Sequence, residues 1–230
     1  MPEDNTPKRR AARPRDAATL VLVRKERKKL CVLMGLRHSR HKFMPDQYVF
    51  PGGRVDPSDG YVEAATELRP HVADRLSRSA SPHRARALAI AAIRETFEET
   101  GLILGEPLKT TPGRIPPAWQ DFYAAGYAPA LHRLEYIHRA ITPPFRPIRF
   151  NARFFMANGE DVTGTLEGSG ELLNLRWIPV DEALELPTPG IQEVVLRQLA
   201  SQIDDAAQVV KPARVPVRRM RHGKRVEEFE

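Results

Sequence analysis

Runs of apolar residues alternate with helical spacings along this chain, and together they predict an α/β protein. Two apolar runs, 17–24 and 30–36, flank the polar segment 26–29 and predict a β-hairpin. Further strands are predicted at 47–50, 136–141, 149–156 and 172–180, and helices at 62–78, 83–100, 123–133, 181–186 and 191–203. Because strands and helices intersperse at both ends of the sequence, we expect one α/β (α+β) domain with a sandwich-like architecture.

The boundaries of that domain follow from proline, glycine and charge. The segment 1–15 is rich in proline and basic residues and predicts a disordered basic N-terminal tail. The domain itself is expected over 16–210, with loops at 106–119 and 158–170, and 211–230 is expected to be a basic C-terminal tail.

One helix carries an unusual concentration of negative charge. In the predicted helix 83–100, which Gly101 should terminate, Glu95, Glu98 and Glu99 are spaced so that they share one face. Like charges this close repel each other and would destabilise an isolated helix. A cation should therefore lie over them, and a hard divalent metal ion suits oxygen ligands. Upstream, the segment 48–56 (YVFPGGRVD) predicts a strand that runs into a glycine turn, which would complete a metal-dependent phosphate site.

Composition limits the setting and the partners. The chain has 230 residues and a net charge of +7, but the excess lies in 1–30 and 211–230, whereas 31–210 has a net charge of −3. The basic ends offer a contact for nucleic acid, yet they lack interleaved aromatics, which favours solvated and partly disordered termini. The single cysteine, Cys31, excludes a disulfide framework and a cysteine-rich metal site. No apolar run reaches the length of a membrane helix, so we expect a reducing, cytoplasmic setting; the sequence leaves open a homodimer.

The segment 94–102, RETFEETGL, resembles the core of the Nudix box, which reads Arg-Glu-apolar-x-Glu-Glu-x-Gly-apolar. In the family pattern a Gly, five residues, a Glu and seven residues precede that Arg. Here Gly53 is followed by five residues and then by Asp59, and 34 residues separate Asp59 from Arg94, an excess of 27. Asp59 stands in place of Glu and Thr96 in place of an aliphatic residue. A loop insertion costs little closure entropy, so the glycine turn and the acidic helix should still meet.

The resemblance covers roughly 17–203 and implies a Nudix-type α/β/α sandwich with a mixed sheet. The insertion, at about 60–86, is expected to be helical and to influence substrate choice. Its length, with the segment 43–45 (FMP) before YVFPGG, resembles a branch that includes peroxisomal coenzyme A diphosphatases.

The resemblance also implies a site that holds Mg²⁺ or Mn²⁺. Glu98 and Glu99 are expected to be the principal metal ligands, and Glu95 a third ligand or a support for them. A carbonyl oxygen of Gly52 or Gly53 is expected to complete the coordination. Arg94 is expected to orient the carboxylates. Arg54, with Gly52 and Gly53, is expected to bind phosphate. The general base is either Glu99 or a later acid such as Glu167 or Glu171.

The expected function is a metal-dependent hydrolase that cleaves the pyrophosphate of a nucleoside diphosphate linked to another moiety. CoA or acyl-CoA is the first substrate candidate, and ADP-ribose or NADH is the second. Two other classes remain open: a Nudix-fold regulator that binds a nucleotide without cleaving it, and an RNA-processing enzyme that uses the basic ends. Regulators of this kind typically lose acids of the box, whereas this chain keeps all three on the helix.

Overall fold

The computed structural model describes residues 12–40, 45–201 and 214–230. Its strands are β1 (Arg15–Glu26), β2 (Lys29–Arg37), β3 (Tyr48–Val49), β4 (Gly52–Arg54), β5 (Gly105–Pro107), β6 (Tyr127–Pro129), β7 (Glu135–Ile141), β8 (Phe150–Asn158), β9 (Leu172–Pro179), β10 (Pro216–Arg221) and β11 (Lys224–Phe229). Its α-helices are α1 (Pro70–Ser77), α2 (Pro82–Thr100), α3 (Gln120–Ala124), α4 (Val180–Ala183) and α5 (Gly190–Ser201).

Nine of the strands form one mixed sheet. Seven of them follow the order β11-β10-β7-β8-β1-β2-β3, while β4 also pairs with β1 and β9 with β2. The β1–β8 and β7–β10 pairs are parallel, and the other pairs of this sheet are antiparallel. Strands β5 and β6 form a separate two-stranded sheet. This confirms the predicted mixed α/β fold.

The two faces of the sheet carry separate hydrophobic clusters. Along β1, Leu20 and Leu22 join the cluster that includes α2, whereas Val21 and Val23 join the cluster that includes α5. Successive side chains of a strand point to opposite faces, so a continuous apolar run can support helices on both sides. The sheet is thus the middle layer of an α/β/α sandwich.

The first hairpin and the acidic helix are confirmed as predicted. Strands β1 and β2 are antiparallel and are joined at Arg27 and Lys28, which both have positive φ, as a two-residue hairpin turn requires. Helix α2 begins after Ser81, whose side chain accepts a hydrogen bond from the backbone N–H of Arg84, and ends at Gly101 with φ +74°.

The insertion is less helical than the sequence predicts. Instead of one helix over 62–78, the chain forms a 3₁₀ turn at Pro57–Tyr61, an extended stretch, and then α1 from Pro70. A residue before proline is disfavoured in the α region, and Arg69 is extended, so Pro70 fixes the start of the helix. Glu135 of β7 holds the insertion in place through an ion pair with Arg69 and a hydrogen bond with His71.

Other helical predictions are shortened. The stretch 123–133 is not one helix, because α3 ends at Ala124 and Gly126, with φ +85°, leads into β6. The predicted helix 181–186 is reduced to α4, and α5 begins at Gly190. Residues 202–203 of the last predicted helix lie outside the described residues, as do residues 1–11 of the predicted N-terminal tail.

The prediction of a solvated tail at 211–230 is wrong for the residues that the structure describes. Strands β10 and β11 form a hairpin, and β10 extends the main sheet by pairing with β7. Val215 and Val217 are buried, which anchors the segment to the domain despite its basic composition. Tyr136 and Arg139 both contact the Glu230 carboxylate, so the domain extends beyond the predicted boundary at residue 210.

In the described part of the chain, no helix combines the length and apolar character needed to cross a membrane.

Candidate active site

A buried ion pair joins the glycine-turn region to α2 across the insertion. The Nε and Nη2 atoms of Arg94 donate hydrogen bonds to Asp59 over 2.9 and 3.1 Å. Asp59 has no exposed surface and also accepts hydrogen bonds from the Asp56 backbone N–H and, at 3.4 Å, the Trp119 indole. The expectation that these two parts of the box meet despite 34 intervening residues is therefore confirmed.

The same guanidinium organises the acidic face of the helix. Arg94 Nη1 donates to Glu95 Oε1 at 3.0 Å and to Glu98 Oε2 at 2.8 Å, and Nη2 donates to the Arg54 carbonyl oxygen at 2.9 Å. Burial alone would lower the pKa of Arg94, but its hydrogen bonds to Asp59 and the charges of Glu95 and Glu98 raise it, so this residue stays a cation. Arg94 thus has the predicted orienting position.

The glycine turn contacts the acids from the other side. The Gly52 backbone N–H donates to Glu99 Oε2 at 2.8 Å. Gly53 lies against the Glu95 carboxylate so closely that a Cβ atom at this position would overlap it. A larger residue at 53 would displace the Glu95 carboxylate or the turn.

Burial makes these carboxylates difficult to ionise. It raises the pKa of Glu99 to about 8, despite the hydrogen bond from Gly52, and the charge of Glu95 adds to the increase. Burial likewise raises the pKa of Glu95 to about 7, against the opposing charge of Arg94. The pKa of Glu98 is also raised by burial, but its side chain is more exposed, at 38%. The site therefore holds more potential negative charge than Arg94 alone compensates.

The donor set fits a hard divalent cation. Among the described residues, no three His, Cys, Asp or Glu side chains are already grouped in a geometry that would hold a metal ion. The hydrogen bonds above nevertheless use only one oxygen of each glutamate, and the other three have no hydrogen bond to any described residue. These oxygens are Glu95 Oε2, Glu98 Oε1 and Glu99 Oε1. Carboxylate oxygens that are partly buried and short of positive charge are suitable ligands for Mg²⁺ or Mn²⁺.

A cavity of about 1800 Å³ opens beside these residues. It is lined by Gly52, Gly53, Arg54, Arg94, Glu95, Glu99 and Glu171 among others, so most of the predicted site residues share one space. Glu171 is exposed at the rim, where its charge helps to raise the pKa values of Glu98 and Glu99. Glu167, the other predicted base, binds the Thr100 carbonyl through its backbone N–H.

Two further features of this cavity lie outside the box. Arg37, at the end of β2, lines it, and its charge opposes the burial that raises the pKa of Glu99. Arg218, Arg219 and Arg225 of the β10–β11 hairpin also line it, and within the predicted insertion at 60–86 Arg84 does. The expectation that the insertion influences substrate choice stays a prediction. A His-Gly turn between valine-bearing segments was the sequence feature that could have revealed the hairpin.

The chain resembles known proteins over most of its length. No protein-family model matches it. It is 29% identical over 199 residues to "Putative nudix hydrolase 7" of Caenorhabditis elegans, covering 78% of this chain and 59% of that protein. The crystal structure of a NUDIX hydrolase from Alicyclobacillus acidocaldarius has a TM-score of 0.64 and 29% identity, with 87% of this chain and 99% of that chain covered.

The chain is thus similar in sequence and fold to Nudix hydrolases, and this similarity agrees with the site geometry. The chain spans about 59% of the length of the curated relative, so the relative's remaining part has no counterpart in this comparison.

Proposed function

We propose that the protein is a divalent-metal-dependent hydrolase that cleaves the pyrophosphate bond of a nucleoside diphosphate linked to another moiety. The observation that carries this proposal is the network of Arg94 with Asp59, Glu95 and Glu98, set beside Glu99 and the glycine turn. All three helix acids of the box are present and close to one cavity. This favours a catalyst over a Nudix-fold regulator, for which loss of these acids would be expected.

Glu95, Glu98 and Glu99 would hold Mg²⁺ or Mn²⁺, and the Gly53 carbonyl remains a predicted further ligand. Such an ion neutralises phosphate charge and lowers the pKa of bound water. Arg94 holds Glu95 and Glu98 in place, so fewer side-chain rotamers need to be fixed when substrate arrives. Arg54 is exposed beside the turn and lines the same cavity, which supports its predicted role as a phosphate contact.

The general base remains Glu99 or a later acid, Glu167 or Glu171. Glu99 has a pKa near 8 and can hold a proton at neutral pH, and Glu171 is the more accessible acid at the rim. A glutamine at each position in turn separates them. If Glu167→Gln or Glu171→Gln lowers kcat without weakening Mn²⁺ binding, that residue is the base; if neither does, the base is Glu99, whose loss should weaken Mn²⁺ binding as well.

CoA or acyl-CoA is the first candidate substrate, and ADP-ribose or NADH is the second. Both candidates rest on analogy with relatives that carry a long insertion. That analogy concerns the shared fold and not the residues of the site. The RNA-processing alternative is weakened for 214–230, because this basic segment forms a hairpin within the sheet rather than a free arm.

A substrate panel tests the reaction directly. It would contain CoA, ADP-ribose, NADH, diadenosine polyphosphates and nucleoside triphosphates, with the products identified by mass. EDTA should abolish hydrolysis and Mg²⁺ or Mn²⁺ should restore it. Glu98→Gln should lower kcat by roughly a hundredfold or more while the fold is retained, as circular dichroism would show. Near-normal turnover in that variant would rule out the assigned metal site.

A further inference from the structure

One edge of the main sheet is open along β11. This strand is last in the sheet order, and its far side pairs with no described strand. Val215 and Glu230, which flank the hairpin, exchange both of their backbone hydrogen bonds, at 3.0 and 2.9 Å. Hydrogen-bonded and non-hydrogen-bonded pairs alternate along an antiparallel ladder, so every second residue of β11 directs its N–H and C=O away from β10. Counted from Glu230, these residues are Arg225, Glu227 and Phe229, and their backbone groups form an edge that another strand can extend.

The charges along this edge follow an order. The segment 224–228 reads Lys-Arg-Val-Glu-Glu, with two cations on one side of Val226 and two carboxylates on the other. Charged side chains usually keep an open edge from pairing with other strands. This segment differs, because reversing the strand direction exchanges cations for carboxylates position by position. It is therefore complementary in charge to an antiparallel second copy of itself.

Backbone geometry and charge select the same register. A two-fold axis perpendicular to the sheet makes the edge strands of two copies antiparallel. Pairing centred on Val226 places Arg225 opposite Glu227 of the partner subunit. Both residues have outward backbone groups, so this pair and its symmetry mate would form four hydrogen bonds. Centring the pairing on any of the four charged residues of 224–228 would instead place like charges opposite each other, which is destabilising.

The side chains of the central pair are free to take a partner. The ion pairs within the hairpin join Arg219 and Arg221 to Glu228. Arg225 and Glu227, in contrast, are both exposed, and neither forms an ion pair with a described residue. A second copy would supply each of them with a partner of opposite charge.

The same register also covers an exposed aromatic side chain. Phe229 is 49% exposed at the end of β11, and it would lie opposite Gly223 of the partner subunit. A Cβ atom built on Gly223 would meet nothing within 4 Å, so the space beside this glycine is open. An aromatic side chain laid across a glycine of the neighbouring strand is a known stabilising pair in sheets.

We propose that the protein forms a two-fold homodimer in which the β11 strands of two copies pair antiparallel about Val226. The two nine-stranded sheets then become one continuous sheet. Arg225 lines the cavity that contains Glu95 and Glu99, so Glu227 of the partner subunit lies at the edge of that cavity. The dimer rests on the strand edge alone and does not depend on the proposed reaction.

Charge exchange tests this interface. Because a short edge contact is a small interface, sedimentation velocity over about 1–200 µM should show wild-type protein passing from monomer to dimer. Arg225→Glu places Glu opposite Glu, and Glu227→Arg places Arg opposite Arg, so each variant should raise the dimer Kd by about tenfold or more. Mixed in equal amounts, the two variants should form a heterodimer with nearly the wild-type Kd, since every Glu then faces an Arg. Lys28→Glu is the control, because it changes the net charge as Arg225→Glu does but lies in the β1–β2 turn and should leave the Kd unchanged.

Three results would overturn the proposal. Wild-type protein that is still monomeric at the highest concentration would show that no second copy occupies the edge. A dimer with an unchanged Kd in both Arg225→Glu and Glu227→Arg would place the interface elsewhere. Variants that are weakened singly and stay monomeric when mixed would refute the pairing of Arg225 with Glu227 of the partner subunit. None of these measurements requires hydrolysis, so the dimer and the proposed reaction can fail separately.

Discussion

Replacing Glu99 by glutamine should stabilise the metal-free protein at alkaline pH. Glu99 is 4% exposed, and its pKa is raised by burial from 4.5 to about 8. A carboxyl whose folded-state pKa is raised favours folding while it is protonated. That stability is fully present below pH 4.5 and is lost as the pH rises towards 8. Glutamine has nearly the same shape, can still accept from the Gly52 N–H, and carries no charge to bury.

The structure sets an upper limit on the effect. A pKa difference of about 3.5 corresponds to roughly 5 kcal/mol at 1.36 kcal/mol per pKa unit. Local relaxation and water entry reduce the cost of a buried charge, so we expect the variant to gain about 2–3 kcal/mol at pH 8.5 and close to zero at pH 5. Mg²⁺ at 100 times its Kd should stabilise the wild-type protein by about 2.7 kcal/mol, which would cancel most of the advantage of the variant.

Urea unfolding followed by tryptophan fluorescence would measure both effects, in EDTA and in Mg²⁺, at pH 5 and pH 8.5. Trp119 is buried and reports on the region next to Asp59. Glu98→Gln is the matched control, since Glu98 is 38% exposed and the substitution removes its charge attraction to Arg94, so the variant should gain no stability at pH 8.5. The reasoning is refuted if Glu99→Gln is no more stable than wild type at pH 8.5 in EDTA, or if its advantage is the same at both pH values.

Two further substitutions test how the site is held together. Asp59→Asn should destabilise the fold by roughly 3–5 kcal/mol, because it leaves the buried Arg94 without its fully buried anionic partner. Urea unfolding would measure the change, and a decrease below 1 kcal/mol in the free energy of unfolding would contradict the prediction. Gly53→Ala should leave secondary structure intact but weaken Mn²⁺ binding at least tenfold, because the new methyl group displaces the Glu95 carboxylate. A titration with Mn²⁺ followed by electron paramagnetic resonance would measure the affinity, and an unchanged affinity would contradict the prediction.

The sequence predicted the chemical part of the site better than its surroundings. Glu95, Glu98 and Glu99 were recognisable because helical spacing places their side chains locally, and the contact of Arg94 with Glu98 follows from the same spacing. The ion pair of Asp59 with Arg94 was not predicted, because it depends on loop closure across the insertion. The expectation was only that the glycine turn and the acidic helix meet. The burial that raises the pKa values of Glu95 and Glu99 depends on tertiary packing and could not be read from the helix alone.

The predictions that were wrong also failed where tertiary packing decides the structure. Local periodicity predicted helix over 62–78, but Pro70 and tertiary anchoring by Glu135 restricted the helix to α1. The net charge of 211–230 predicted a solvated tail, but the burial of Val215 and Val217 holds this segment in the sheet. Strand pairing between β7 and β10 joins residues far apart in sequence, so no local pattern indicates it.

The structure therefore changes where specificity should be sought. The insertion is fastened to β7 through Glu135, and of its residues Arg84 lines the cavity, so most of its contacts serve the fold. The hairpin, in contrast, brings arginines without carboxylate partners among the described residues into the cavity that holds those acids. A segment that serves the fold and a segment that lines the cavity can vary independently. This separation explains how a long interruption of the box remains compatible with an intact catalytic network.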